Sequence, residues 1–103
     1  MWYNTSMPRS SETPSAENQK EWRGNWAAGD RPSGYRSTTA RYKSLHDRGF
    51  SATRELGQEF ITRWNVHMAR ARTGILSAQE VRELLADNAL LHEAMDKFEK
   101  DKG

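Results

Sequence analysis

The stretch of the chain that decides its fold is residues 77–98, SAQEVRELLADNALLHEAMDKF. It opens with Ser77 and Glu80, which have the spacing of a capping box. In that motif the serine hydroxyl accepts from the glutamate amide, and the glutamate carboxylate accepts from the serine amide. Leu76 before the cap and Val81 at the fourth helical position fit a hydrophobic staple. These signals predict that a helix starts here.

The apolar residues that follow share one face of this helix, which we expect to run over about 77–101. They recur at three- and four-residue steps: Val81, Leu84, Leu85, Leu91, Met95 and Phe98. Asn88 interrupts the face, and two interpretations of it stay open. It is either a partly exposed side chain at a gap in the packing, or a buried amide that pairs with its mate across a homodimer and fixes the register.

A second helix is predicted upstream, over about 52–72. Its apolar stripe has the same spacing: Leu56, Phe60, Trp64, Met68, Ala71 and Ile75. Val66 falls on the opposite side. Gly57 weakens the helix by up to ~1 kcal/mol relative to alanine, and Gly74 is a natural stop. Because the link to the next helix is short, the two helices should be antiparallel neighbours.

A shorter first helix is predicted over about 38–48. Gly49 sits where a left-handed C-cap residue is wanted, since glycine has no Cβ to clash. In that frame Leu45 and Phe50 occupy the two positions that touch in a Schellman motif.

The chain changes character ahead of these helices. Residues 1–44 contain no Val, Ile, Leu or Phe, and all three prolines fall there. Such a segment cannot bury enough apolar area to offset the entropy of ordering it, roughly 1–2 kcal/mol per residue. We therefore expect residues 1–36 to be a flexible, polar, aromatic and basic arm, and residues 37–103 to be the helical module.

The predicted fold class is all-α: a disordered N-terminal arm, a short helix and a long antiparallel helical hairpin. The core of such a module is small, and small cores rarely supply more than ~3–5 kcal/mol. Dimerisation of the hairpin into a four-helix bundle would add the missing burial, so a homodimer is expected.

Composition limits the classes of function. The chain has 103 residues, no cysteine and a net charge of +2. It has neither an apolar run of the ~18 residues that a membrane span needs nor the pattern of a secretory signal. The expected address is intracellular, cytoplasmic or nuclear, and not secreted or membrane-bound. The size and layout would suit a viral, phage or mobile-element regulator.

Catalysis, metal binding and a cofactor are not expected. No serine lies in a Gly-x-Ser-x-Gly elbow, and the three histidines stand apart in sequence, without a second ligand at motif spacing. Glu80, Glu83 and Asp87 repeat at helical steps, which we interpret as a solvated helix face rather than as paired carboxylates.

Basic residues on the second helix point to nucleic acid as the partner. Arg63, His67 and Arg70 form one row beside the apolar stripe, with Arg54 and Arg72 near its ends. Arg41 and Lys43 extend the positive charge toward the arm, which could track a phosphate backbone and stack on bases. The alternative, that these are ordinary solvated residues, stays open because the net charge is small.

Two stretches of the module carry a family resemblance: residues 44–57, SLHDRGFSATRELG, and residues 61–70, ITRWNVHMAR. They resemble the opening and the recognition helix of bacterial helix-turn-helix DNA-binding domains. The family has a glycine in the turn between Phe60 and Ile61. This chain has none, so its turn is one residue short.

The resemblance implies roles for single residues. Thr62 would cap the recognition helix, while Arg63 and Asn65 would face base edges, where arginine pairs with guanine and asparagine with adenine. The implied core residues are Leu56, Phe60 and Val66. A single continuous helix over 52–72 remains the other interpretation of the same residues.

The alternative function is that of a protein-interaction adaptor, scaffold or inhibitor. Tryptophan and arginine are enriched at interface hot spots, and the arm offers a set of them for binding a partner protein: Trp22, Arg23, Trp26, Tyr35 and Arg36. Trp22 and Trp26 are four residues apart, one helical turn if this piece orders on binding.

Overall fold

The computed structural model describes residues 20–102 of the chain. In chain order they form strand β1 (Trp22–Arg23), a 3-10 turn (Trp26–Ala28), helices α1 (Thr39–Asp47), α2 (Ala52–Leu56) and α3 (Gln58–Arg72), strand β2 (Ile75–Leu76) and helix α4 (Ala78–Lys102). The prediction of a mostly helical chain is confirmed. Within residues 20–102 no helix is both long enough and apolar enough to cross a bilayer.

The start of α4 has the local structure that its sequence predicts. The Ser77 amide donates to the Glu80 carboxylate at 2.8 Å, and the Glu80 amide donates to the Ser77 hydroxyl at 3.1 Å. Leu76 and Val81 are both buried in one apolar cluster. The capping box and the hydrophobic staple therefore fix where the longest helix begins.

The end of α1 is also as predicted. Gly49 has a φ of +106°, and its amide donates to the His46 carbonyl at 3.0 Å. The Phe50 amide donates to the Leu45 carbonyl at 2.9 Å. These are the two bonds of a Schellman motif, and the side chains of Leu45 and Phe50 are buried together.

The second predicted helix is interrupted. Gly57 adopts φ +96° and ψ 160°, which ends α2 and opens α3, so the continuous helix over 52–72 is wrong at this point. The turn that the helix-turn-helix resemblance puts between Phe60 and Ile61 also disagrees with the structure, because α3 runs straight through it. Thr62 accordingly lies inside α3 rather than capping it, and Val66 is 57% exposed rather than part of the core.

Helices α3 and α4 form the predicted antiparallel hairpin. Arg63 pairs with Asp87, whereas Arg70, further along α3, pairs with Glu80, earlier in α4. Two apolar clusters lie along the hairpin. One is centred on Phe50, Phe60 and Met95, and the other on Ala71, Leu76 and Leu84.

Residues 20–37, called the strap here, pack against the helices. The prediction of a flexible arm is therefore wrong for residues 20–36. The rest of that predicted arm, residues 1–19, lies outside the described residues. β1 pairs antiparallel with β2, with Trp22 opposite Leu76, and the Gly24 amide donates to the Gly74 carbonyl at 3.0 Å. A Cβ on Gly74 would lie 2.9 Å from the Gly24 carbonyl oxygen, so the strap approaches as closely as it does only over a glycine.

Aromatic rings explain why the strap orders without aliphatic residues. Trp22, Trp26 and Tyr35 pack against the second apolar cluster. The Trp22 and Trp26 rings meet edge to face at 6.1 Å, and the Trp26 and Tyr35 rings at 5.3 Å. An aromatic side chain can bury roughly 150–250 Å². Even partly buried, these three rings therefore supply burial that a survey of Val, Ile, Leu and Phe overlooks.

Candidate binding groove

An open groove of about 710 Å³ lies between the strap, α1 and α3. Its apolar lining comes from all three elements: Trp26, Tyr35, Tyr42, Phe60, Ile61, Trp64 and Met68, with the buried Ala52 and Leu91. Its uncharged polar lining is Ser37, Thr38, Thr39 and Asn65. Every charged side chain that lines the groove within residues 20–102 is basic: Arg31, Lys43 and Arg72. The site thus combines an apolar floor with a cationic rim.

Helix periodicity explains how α3 serves the core and the groove together. Ile61, Trp64, Met68 and Arg72 follow at three- and four-residue steps, so they share one flank of the helix. Phe60, on the neighbouring flank, is buried in the core. The apolar stripe read from the sequence is therefore wider than the core needs, and its excess forms the groove floor.

A clamp on α4 holds the C-terminal end of the strap. The Arg36 amide donates to Asn88 Oδ1 at 2.9 Å, and Asn88 Nδ2 donates to the Arg36 carbonyl at 2.9 Å. Asn88 is 2% exposed, so the interpretation of a partly exposed side chain at a gap is wrong. The interpretation of a buried amide is right about burial, and within this chain the partner of the amide is backbone 52 residues away.

His92 reinforces the clamp. Its Nε2 lies 3.3 Å from the Arg36 carbonyl and its Nδ1 lies 3.0 Å from Arg41 Nη1. A carbonyl can only accept and a guanidinium can only donate, so the ring is neutral with its proton on Nε2. Burial lowers the pKa of His92, and the positive charges of Arg36 and Arg41 lower it further, against the opposing effects of the Arg36 carbonyl and Asp96.

The depressed pKa of His92 makes the fold sensitive to acid. The folded protein holds this proton less tightly than the unfolded chain, so the contribution of His92 to stability is complete above the ordinary histidine pKa of 6.5. It is lost as the pH falls from there through the lower pKa of the folded state. We expect Tm to drop as the pH falls below 6.5, and to drop less in His92→Gln, whose amide does not titrate. Thermal unfolding across the pH range measures both proteins, and equal pH slopes would contradict the assignment.

The predicted nucleic-acid row on α3 is neutralised from within the protein. Asp87 Oδ2 lies 3.0 Å from both Arg63 Nε and His67 Nε2, and Arg63 Nη2 donates to Asp87 Oδ1 at 3.2 Å. Arg70 Nε donates to Glu80 at 2.9 Å. Asp87 is 6% exposed, so its assignment to a solvated acidic face is wrong. The Asp87 carboxylate explains why basic residues recur along this side of α3, because it is the partner of both Arg63 and His67.

These contacts also shift pKa values in the directions expected of ion pairs. Asp87 raises the pKa of Arg63 by hydrogen bonding and by its charge. The Ser77 amide and then Arg70 lower the pKa of Glu80. Both shifts favour the charged forms that the pairs need.

The other predicted nucleic-acid residues are divided between internal contacts and the groove. Arg41 bonds to Asp96 at 2.6 Å and to Glu99. Arg54 donates to the Gly49 carbonyl at 2.9 Å and to Glu55 at 3.3 Å. The remaining residues of this set line the groove: Lys43, Asn65 and Arg72.

The residues predicted to bind a partner from the arm are ordered, and two of them line the groove. Trp26 and Tyr35 form part of its wall, whereas Trp22 is half-buried in β1, against the second apolar cluster. Arg23 is exposed beside Glu21 at 2.7 Å, and Arg36 contributes its backbone to the clamp. Sequence reasoning missed Arg31, Tyr42, Ile61 and Met68 as lining residues, since they meet only in the folded chain.

Comparison of the chain with protein-family models, with curated proteins and with solved structures found no match. No group of three or more potential metal-ligating side chains occurs within the part of the chain that the structure describes. What the protein binds has therefore to be inferred from the groove itself.

Proposed function

We propose that this chain is a protein-interaction module whose groove receives apolar side chains from a segment of a partner protein. The observation that carries the proposal is the groove floor. It is built from two tryptophans, two tyrosines and aliphatic side chains, and its 710 Å³ volume lies in the range of concave binding sites. Partner segments commonly dock by placing apolar anchors in such grooves.

The state of the basic residues favours this function over nucleic-acid binding. A surface that binds nucleic acid gains affinity by replacing the counterions of several phosphates. Arg63, Arg70 and Arg41 already have carboxylate partners within the described chain. Binding phosphate through them would cost the internal pairs that join α1 and α3 to α4.

The aromatic rings of the groove also favour apolar side chains over bases. Arg31 lies over the Trp26 ring at 3.6 Å from its centroid. Phe60 stacks on Trp64 with an interplanar angle of 16°, and His46 stacks on Tyr42 with an angle of 27°. One face of Trp26, and part of one face of Trp64 and of Tyr42, thus already contacts a side chain of this chain. These contacts reduce the stacking surface that single strands use.

Selection from a displayed library of random peptides tests the proposal. Wild-type protein is expected to enrich peptides with apolar anchors that quench tryptophan fluorescence. Asn65→Phe, which fills the groove mouth without a change of charge, should weaken the binding of these peptides by about tenfold or more. Val66→Phe, a matched change at an exposed position outside the groove lining, should bind like wild type. A failure to enrich peptides, or peptides indifferent to Asn65→Phe, would overturn the proposal.

Single-stranded nucleic acid is the second candidate, and the specific observation for it is the cationic rim beside aromatic residues. Fluorescence titration with single strands and duplexes at low and high salt separates the two functions. Steeply salt-dependent binding that Asn65→Phe abolishes would replace the first proposal with this one.

We further propose that the module forms homodimers through the outer face of its hairpin. The support is an exposed apolar side chain on each helix of the hairpin, Val66 on α3 and Leu90 on α4. Light scattering measures the mass directly, and a monomer at high concentration would exclude the dimer. The groove proposal does not depend on this outcome.

A further inference from the structure

We infer that the segment that the groove takes is acidic, with aspartate or glutamate side chains flanking its apolar anchors. This inference rests on the proposed function of the groove and adds the charge of the partner to it. The groove rim carries Arg31, Lys43 and Arg72, and these three lack the close internal carboxylates that pair with the arginines between the helices, Arg41, Arg63 and Arg70.

Acidic residues are distributed unevenly over the basic residues of the module. Asp87, Glu80 and Asp96 lie between 2.6 and 3.0 Å from the guanidinium groups of Arg63, Arg70 and Arg41. All three of those pairs lie where α4 meets α3 or α1. The acidic side chains of α4 therefore neutralise the hairpin, and none of them lines the groove within residues 20–102.

The rim residues lack comparable partners. Arg72 makes no ion pair with any residue of the described range. Lys43 lies 3.6 Å from Asp47, but both side chains are largely exposed, and such pairs contribute little. The rim thus presents positive charge beside a low-dielectric apolar floor, an arrangement that attracts anionic ligands.

Arg31 is held in a position to take a carboxylate. Its Nη1 donates to the Trp26 and Asp30 carbonyls, both at 2.8 Å, and its guanidinium lies on the Trp26 ring. Both hydrogens of Nη1 are then in use, while Nε and Nη2 have no acceptor among the described residues. That remaining edge is the one with the geometry for two parallel bonds to a carboxylate. Because the side chain is already immobilised, binding loses little rotamer freedom.

The composition of the partner follows from these two surfaces together. A segment with apolar anchors but no acidic residues would leave the rim hydrated and gain nothing from it. A segment with acidic residues but no anchors would bind only through exposed charges. A segment with both matches the floor and the rim. Its association should accelerate at low salt, since rim charges act mainly on the association rate.

Synthetic peptides taken from the displayed-library selection test the inference. Each enriched peptide is made in two forms: the selected acidic sequence, and a neutral sequence in which every Asp is changed to Asn and every Glu to Gln. The Kd of each form is measured by fluorescence. We expect selected peptides to be acidic and to weaken by about tenfold when neutralised. Arg72→Glu and Lys43→Glu should each weaken the acidic form and spare the neutral one. Arg82→Glu, an exposed position on α4 outside the groove lining, is the matched control and should leave both unchanged.

The outcomes separate the inference from the function on which it rests. Peptides that need an open groove but bind equally well when neutralised would overturn the acidic partner and leave the protein-binding function intact. An equal loss of both peptide forms in Arg72→Glu and Lys43→Glu, with normal thermal unfolding, would do the same. If the selection enriches no peptide above the Asn65→Phe background, the proposed function fails and the acidic partner fails with it.

Discussion

Replacing Asp87 with alanine is expected to lower Tm by about 10–20 °C, corresponding to about 2–3 kcal/mol of lost stability. The carboxylate is buried on α4, where His67 and Arg63 both bond to it. Its removal leaves the buried His67 ring without a partner and opens a gap between α3 and α4. A domain of this size has only a few kcal/mol in total, so the loss is a large part of its stability.

The matched control is Asp87→Asn, which fills the same space and can still accept from Arg63 or His67. We expect it to lose less stability than Asp87→Ala, with the difference reporting the hydrogen bonds rather than the packing. Thermal unfolding followed by circular dichroism measures both. A Tm within a few degrees of wild type for Asp87→Ala would show that Asp87 contributes as little to stability as a residue on the solvated helix face that the sequence suggested.

Replacing Asn88 with leucine is expected to release the strap from α4. The Arg36 amide and carbonyl lose their buried partners, and an unpaired buried polar group costs about 1–3 kcal/mol. Trp26 and Tyr35 then lose their fixed positions against the second apolar cluster. We expect a red shift of tryptophan emission, a Tm lower by about 10 °C and loss of peptide binding in the groove.

Ala89→Leu is the control for the Asn88 variant, since it adds the same side chain at the next position, which is exposed on α4. It should leave emission, Tm and peptide binding near wild type. A strap that stays in place in Asn88→Leu would show that the aromatic contacts hold it without the clamp.

Local rules predicted the ends of the helices well. The Ser77 capping box and the Gly49 Schellman motif each involve residues within five positions of one another, so their geometry can be derived from sequence spacing alone. The same holds for the apolar face of α4, where Val81, Leu84 and Met95 are buried as the periodicity indicates.

Contacts between distant residues were not predictable in this way. Asn88 looked like a defect in an apolar face because its partner, the backbone of Arg36, is 52 residues away. Asp87 looked solvated because the pattern of α4 does not show that Arg63 and His67 approach it from α3. A polar residue at the edge of an apolar face indicates that a hydrogen-bond partner must contact it. The sequence pattern does not show which residue that partner is.

The strap was misjudged for a different reason. The absence of Val, Ile, Leu and Phe suggested disorder, but Trp22, Trp26 and Tyr35 carry enough apolar area to order a short segment. The basic row predicted as the nucleic-acid site and the groove lie on different sides of α3. The basic row faces the acids of α4, while the flank with Ile61 and Met68 faces the groove.

Amide hydrogen exchange of the wild-type protein tests the central claim, that the strap forms one wall of the groove, most directly. The Arg36 amide bonds to a buried side chain, and the Gly24 amide bonds across to Gly74. Both should exchange far more slowly than amides of an unfolded chain, at rates approaching those of core amides in α4. Exchange of both at unprotected rates would show a free arm, and the groove with its proposed partner would then be excluded.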